Sequence, residues 1–262
     1  MSISSGSCGN CYILKGDTGK GIIIDAGVSL RRLKRALAGV NLSVLDFAAV
    51  IVTHDHLDHI RHLGPYCKTL ALPVYATDVL HRALAKHTFT RDYIPGCRRI
   101  LPEGEWTEVA PGFEVRWFEV PHDATQTVGF VIRGFGHLIV HITDCGKMTP
   151  EALDWAREAD TVTVESNFDI GMLMAGPYTE ALKMRICRGY GHLSNDGCAD
   201  AIRAFVHDGL KTVFLCHLSE NNNTPDLAYE SARQALSQAG RTENDVFLRT
   251  LPRQYPSPLF TL

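Results

Sequence analysis

Thr53-His54-Asp55-His56-Leu57-Asp58-His59 follows the apolar run Phe47-Ala48-Ala49-Val50-Ile51-Val52 without a break. That run has the length and composition of a buried strand. Three imidazoles and at least one carboxylate therefore emerge together where a strand ends and a helix is expected to begin. Neutral imidazole and carboxylate are ligands for Zn²⁺ and neighbouring divalent metals. Four such groups are too many for one tetrahedral ion that must also hold a substrate. The spacing divides them. His54 and His56 lie two apart on extended chain and point the same way. Asp58 and His59 are adjacent in the first turn of the next element and can face a second ion.

The chain has 262 residues, ample for a sizeable core. Residues 1–250 are expected to form one domain, followed by an irregular C-terminal tail over 251–262. No apolar run approaches the ~20 residues needed to cross a bilayer, so no membrane association is expected. The start, Met1-Ser2-Ile3-Ser4-Ser5-Gly6, lacks a basic n-region and an apolar h-region, and a cytoplasmic location is the expectation. A net charge of −3 gives no global electrostatic case for nucleic acid, which would need a local patch. The eight cysteines are scattered, as reduced thiols would be. Cys8-Gly9-Asn10-Cys11 precedes a strand rather than opening a helix, so it reads as a tight turn before it reads as a redox pair.

Strand-like and helix-like segments interleave along the chain. Cys11–Lys15 and Gly21–Asp25 form a hairpin across Gly16–Lys20. Ser29 is a plausible N-cap for a helix from Leu30 to about Ala38, and its basic residues read as a solvated face. A short helix after the histidine motif is expected to end before Gly64-Pro65. Further strands are expected over Trp106–Val109, Phe113–Val120, Val128–Arg133, His137–Thr143, Thr161–Glu165, Thr212–Cys216 and Val246–Leu248. Thr224-Pro225 has the chemistry of a helix start. The pattern alone supports an α/β class with mixed sheets covered by helices. Its telling regularity is that His122, Asp144 and His217 each stand at the end of a strand. Strands ending on one edge would bring them to a common rim with His54, His56, Asp58 and His59.

The H-x-H-x-D-H stretch resembles the signature of the metallo-β-lactamase fold superfamily. The resemblance implies a four-layer αββα sandwich, two mixed β-sheets flanked by helices, with metals at one edge. It also implies a ligand partition, residue by residue: His54, His56 and His122 on one ion, Asp58, His59 and His217 on the other, and Asp144 between them. Two ions about 3.5–4 Å apart share a water, lower its pKa and stabilise both oxygens of an in-line displacement. Asp58 is the candidate for orienting that bridging hydroxide. Zn²⁺ and Mn²⁺ suit the ligand set, and Fe²⁺ is compatible with it. Cys145 adjoins Asp144 but points away on extended chain, so it is not expected to ligate.

Four further stretches narrow the resemblance. They are Ser5–Tyr12, Glu165–Asp169, Gly191–Asn195 and His217–Pro225, with Lys183-Met184-Arg185-Ile186 between them. Together they look like the YycJ/WalJ-like branch, associated with metal-dependent DNA exonuclease activity. One departure is Phe168, where that branch is expected to have a histidine. The implied reaction is phosphodiester hydrolysis with DNA as substrate and partner. His192 would bind phosphate or protonate the leaving oxygen. Ser194, Asn195, Lys183, Arg185 and Asn222 are the further substrate candidates, and Ser194 also reads as the cap of the next helix. The alternative is a hydrolase of a small thioester, cyclic phosphodiester or lactam on the same metal pair. A di-iron redox protein would replace a histidine ligand with a carboxylate and carry a flavin domain, and the chain has neither. A non-catalytic module would not need the intact ligand set. The roughly seventy residues between Asp144 and His217 are all taken up by core elements, leaving no room for a large cap domain.

Overall fold

A computed structural model describes all 262 residues. The first sheet holds β1 (Ser2–Ser4), β2 (Cys11–Leu14), β3 (Gly21–Ile24), β4 (Phe47–Ile51), β5 (Val74–Ala76) and β6 (Arg98–Ile100), in that spatial order. The second holds β7 (Thr107–Ala110), β8 (Phe113–Glu119), β9 (Val128–Gly134), β10 (His137–Ile142), β11 (Thr161–Glu165), β12 (Thr212–Cys216) and β13 (Phe247–Thr250), also in chain order across the sheet. Each sheet begins with antiparallel hairpins and continues with parallel strands. Parallel neighbours need crossovers, and helices supply them. In the first sheet these are α1 (Leu30–Ala38), α2 (Leu57–Ile60), α3 (Leu63–Leu70), α4 (Asp78–Leu84) and α5 (Ile94–Cys97). In the second they are α6 (Pro150–Ala156), α7 (Ile170–Ala175), α8 (Glu180–Cys187), α9 (Asn195–Phe205) and α10 (Pro225–Gln238).

The side-chain period of the strands sorts residues into layers. On β10, Ile139 packs toward the first sheet while Val140 and Ile142 face the outer helices. One apolar cluster joins Ile22, Val50, Val115, Phe130 and Ile132 between the sheets and extends to Leu33 and Leu37 of α1. The other joins Val162, Val164, Val213 and Leu215 to Ala152, Ile202, Phe205 and Ala232 on the helices. The architecture is the αββα sandwich expected from the resemblance. Side-chain caps start α1, α4, α6, α7, α8, α9 and α10, each taking an N–H of the first turn. No helix is long and apolar enough to cross a membrane.

Some boundaries differ from expectation. Gly64-Pro65 lies inside the first turn of α3 instead of ending a helix. Proline is tolerated there because the first turn's N–H groups have no intrahelical partner. β1, β6 and α5 carried no sequence signal, since segments of three or four residues show no period. The residues after Thr250 form no strand or helix, yet they strap the sheets together. Ser257 N–H donates to Ser2 O at 2.8 Å, and Ser2 N–H donates to Ser257 Oγ at 2.9 Å. Phe260 packs on Phe214 with ring centroids 5.0 Å apart.

The close approach that seats the histidine motif falls at Gly27. Asn10 N–H donates to Asp58 O at 2.7 Å, and Gly27 N–H donates to Asn10 O at 2.9 Å. A Cβ on Gly27 would lie 1.7 Å from Asp58 O and 2.5 Å from Asn10 N, against backbone that cannot swing away. Gly27→Ala is therefore expected to lose at least about 2 kcal/mol of unfolding free energy in urea titrations. Gly96→Ala, where nothing lies within 4 Å of the added carbon, is expected to stay within about 0.5 kcal/mol of the parent. Equal stability of the two variants would show that the Gly27 contact relaxes freely.

Candidate metal centre

The rim is built from strand ends. β3, β4, β10, β11 and β12 finish on the same side, and β8, two antiparallel steps from β10, runs with it. Past these ends stand Asp25, the histidine motif, Asp144, His217 and His122, and Glu165 is the last residue of β11. Asp25, Asp144 and His217 have φ of 61°, 48° and 53°. Left-handed backbone is unusual for a residue with a Cβ and clusters at functional sites. Here it breaks each strand abruptly and leaves the last side chain at the rim.

The structure brings the seven expected residues together. Ligand-type atoms of His54, His56 and His122 lie within 4.8 Å of one another, and so do those of Asp58, His59 and His217. Asp144 stands between the triads, with Oδ2 at 2.8 Å from His59 Nε2 and Oδ1 at 4.0 Å from His122 Nε2. Asp144, Glu165, His192 and His217 form a further group of the same compactness. Cys145 belongs to none. It is buried with Sγ donating to Lys147 O at 2.9 Å, and burial pushes its thiol pKa up.

Most of the rings have one nitrogen committed outward. His59 Nδ1 donates to Asp25 Oδ2 at 2.7 Å, and His122 Nδ1 donates to Gly191 O at 2.6 Å. His56 Nε2 lies 3.2 Å from Asp123 O, His54 Nδ1 3.1 Å from Thr53 Oγ1, and His217 Nδ1 3.0 Å from Glu165 Oε1. Such outer partners fix the tautomer and leave the other nitrogen as a lone pair. At His54 that other nitrogen, Nε2, is buried without any hydrogen-bond partner. A buried polar atom is rarely left so, and a cation at this point would complete it. Charge agrees. Burial alone would raise Asp144, but His217 and His59 hold it well below the usual carboxylate range. Burial disfavours a charged His59, yet Asp25, Asp144 and Asp58 bring its pKa up to about 10. Without metal, protons on the imidazoles carry the positive charge this cluster of carboxylates requires. The residues therefore fit divalent cations.

The substrate candidates divide. His192 joins the rim. Its ring stacks on His217 at 5.3 Å between centroids, its Nδ1 donates to Glu165 Oε1 at 2.8 Å, and its side chain stays partly exposed. Arg185 is exposed and paired through its Nε with Asp123 Oδ2 at 2.5 Å, beside His56 and His122. Ser194 caps α9 by accepting from Gly197 N–H at 3.0 Å, and Asn195 N–H donates to Phe168 O at 2.8 Å. These helix-start donors are already used. Asn195 and Asn222 are buried, as is Lys183, whose ammonium donates to Met174 O at 2.7 Å. The structure corrects their assignment: internal polar contacts hold all three away from an incoming backbone. Phe168 is buried and forms a β-bridge with Ser194. The Cys8–Cys11 pair is split between an exposed and a buried thiol, with Cys11 raised to about 12 by burial.

Three residues of the site carried no assigned role in the sequence. Asp25 takes Thr53 N–H, Thr53 Oγ1 and His59. Glu165 takes the backbone N–H groups of Cys145 and Leu193, both at 2.9 Å, as well as two imidazoles. Asn10 Nδ2 lies 3.1 Å from Asp58 Oδ2 and 2.8 Å from His59 Nε2. The strand-end rule that marked Asp144 and His217 applies equally to Asp25 and Glu165.

Comparison with known proteins agrees with this geometry. A family model described as a beta-lactamase superfamily domain matches residues 20–218. Exodeoxyribonuclease YycJ of Bacillus anthracis is 30% identical over 245 residues, covering 94% of this chain and 91% of the relative. Exodeoxyribonuclease WalJ of Streptococcus pneumoniae is 29% identical over 237 residues, covering 90% and 87%. Among solved structures, Zn²⁺-bound PqqB from Methylobacterium extorquens superposes with a TM-score of 0.69 at 19% identity, covering 97% and 87% of the two chains. The metallo-β-lactamase fold protein YhfI from Bacillus subtilis gives 0.69 at 17% identity, covering 96% and 95%. The chain belongs to the β-lactamase superfamily, as a member with the metallo-β-lactamase fold.

Proposed function

We propose that this metal-dependent hydrolase is a DNA exonuclease acting through two divalent ions. The observation that carries the reading is the pair of triads, His54, His56 and His122 in one and Asp58, His59 and His217 in the other, with Asp144 between them and the His192–Glu165 pair beside them. The exodeoxyribonuclease names of relatives that match nearly the whole chain support DNA as the substrate. His54, His56 and His122 would hold one ion, Asp58, His59 and His217 the other, and Asp144 would reach both. Zn²⁺ or Mn²⁺ suits this set, and such a pair supplies an activated water and charge neutralisation at the scissile phosphate.

The chain's own groups do the rest. Asp58, the partly exposed member of its triad, would accept a hydrogen bond from the attacking water. His192 is held by Nδ1, so its Nε2 is the free end. Burial works against its charged form, but Glu165 raises its pKa above the ordinary histidine value. A protonated His192 can donate to the oxygen that leaves when the phosphodiester breaks. Arg185 is an exposed cation paired with Asp123 beside His56 and His122, and exchanging Asp123 for a phosphate would position the strand.

Two tests follow. Purified chain is expected to carry two divalent ions by elemental analysis, and His56→Ala to carry fewer. An ion present at a thousandfold over its Kd adds about 4 kcal/mol of stability, so chelation should lower the melting temperature by roughly 10 °C. A melting temperature indifferent to chelator would argue against resident metal. Labelled linear duplex DNA, with Mn²⁺ and Zn²⁺ supplied separately, should lose nucleotides stepwise. His56→Ala should abolish this, and His192→Ala should slow it by about 10²–10⁴-fold. Arg185→Gln should weaken binding to all sequences and reduce the salt dependence by about one phosphate contact. Cleavage of a thioester or a small phosphodiester, with no digestion of DNA under either metal, would sink the nuclease reading.

A further inference from the structure

The two sheets leave space between them. A cavity of about 410 Å³ lies there, and none of the seven metal-ligand candidates lines it. Its walls include Leu14 and Ile24 of the first sheet, Phe113, Ile139 and Phe214 of the second, and Phe260 of the tail. This is the size and apolar character of a small-molecule pocket. Its mouth lies where exposed Asp17 and half-exposed Leu259 complete the lining.

One part of the wall departs from ordinary sheet packing. Facing sheets normally meet through apolar side chains. Here β10 and β11 put His141 directly beside Thr163, and Ile139 beside Thr161, on the lining face. His141 is 3% exposed and Ser2 2% exposed. His141 Nε2 and Ser2 Oγ are buried without any hydrogen-bond partner. Buried polar atoms are ordinarily paired, so this wall has hydrogen-bonding capacity that the chain itself does not use. Charge is confined to the edges. The Met1 amine is buried, burial lowers its pKa to about 6, and it already donates to Ile13 O, while the Lys15 ammonium donates to Gly16 O and Gly19 O. A charged guest would lie buried without a free partner of opposite sign.

We propose that the inter-sheet cavity is a second binding site, for an uncharged amphiphile whose apolar body fills the pocket and whose single hydroxyl or carbonyl head hydrogen-bonds His141. The probe is N-phenylnaphthylamine, an uncharged fluorophore with one N–H, titrated into the metal-loaded full chain. Decanol, decanoate and decane compete with it. Saturable binding of one probe per chain is expected, displaced about ten-fold more tightly by decanol than by decanoate or decane. His141→Phe should keep the aromatic volume and bring decanol down to the level of decane. Leu259→Asp alters only the mouth, so folding is spared, and should weaken the probe about three-fold or more. Absence of saturable binding, decanoate binding as tightly as decanol, or a probe indifferent to Leu259→Asp would overturn the proposal. The Leu259→Asp variant and the decanol-to-decanoate ratio decide the matter even if His141→Phe does not fold.

Discussion

His59 is held between two carboxylates that belong to different sheets. Asp25 ends a strand of the first sheet and takes its Nδ1, while Asp144 ends a strand of the second and faces its Nε2. All three side chains are buried. Removing one member of such a set strands charge in a dry interior, which is strongly destabilising, at about 3–5 kcal/mol. The register of one sheet against the other at the rim is thus fixed by an ionic contact and not by apolar packing alone. Asn10 and Thr53 close around the same point, so the N-terminal hairpin, the histidine motif and β10 meet at one imidazole.

Glu165 plays the corresponding part on the other side. One oxygen takes His192 and His217, and the other takes the N–H groups of Cys145 and Leu193. Burial would favour its neutral form, but His192 and His217 keep it below the usual carboxylate range. A single side chain therefore orients a metal-ligand candidate, orients the group facing substrate, and anchors the loops that carry Asp144 and His192. Chemistry at the open edge and ligand geometry at the buried edge are mechanically joined through it.

The legible part of the site was the part with a pattern. H-x-H-x-D-H after an apolar strand has no ordinary structural explanation, and His122, Asp144 and His217 stood at strand ends. Asp25 and Glu165 stood at strand ends too, but a lone carboxylate there looks like any residue opening a turn. Asn10 was hidden in a C-x-x-C turn. Lys183, Asn195 and Asn222 were misplaced because polarity suggests solvent, whereas here Lys183 donates to a backbone carbonyl, Asn195 accepts from the Ser166 hydroxyl and Asn222 donates to the Ser219 hydroxyl inside the fold. Most helices were readable from period and caps, α3 and α5 being the exceptions. The shortest strands were not, because their pairing is decided by neighbours far along the chain. The tail after Thr250 gave no signal of its strapping role, since one serine and one phenylalanine carry no periodicity.

The left-handed residues at the ends of β3, β10 and β12 have an implication for anyone breeding this protein for robustness. Each such backbone conformation costs about 1–3 kcal/mol when a Cβ is present, and glycine would relieve it. The same positions carry the buried carboxylates and imidazole whose removal strands partner charge, at about 3–5 kcal/mol. A selection based on heat resistance alone, even without a screen for activity, would therefore tend to spare Asp25, Asp144 and His217, because the ionic loss exceeds the strain relieved. Hardy descendants would keep the rim's side chains intact.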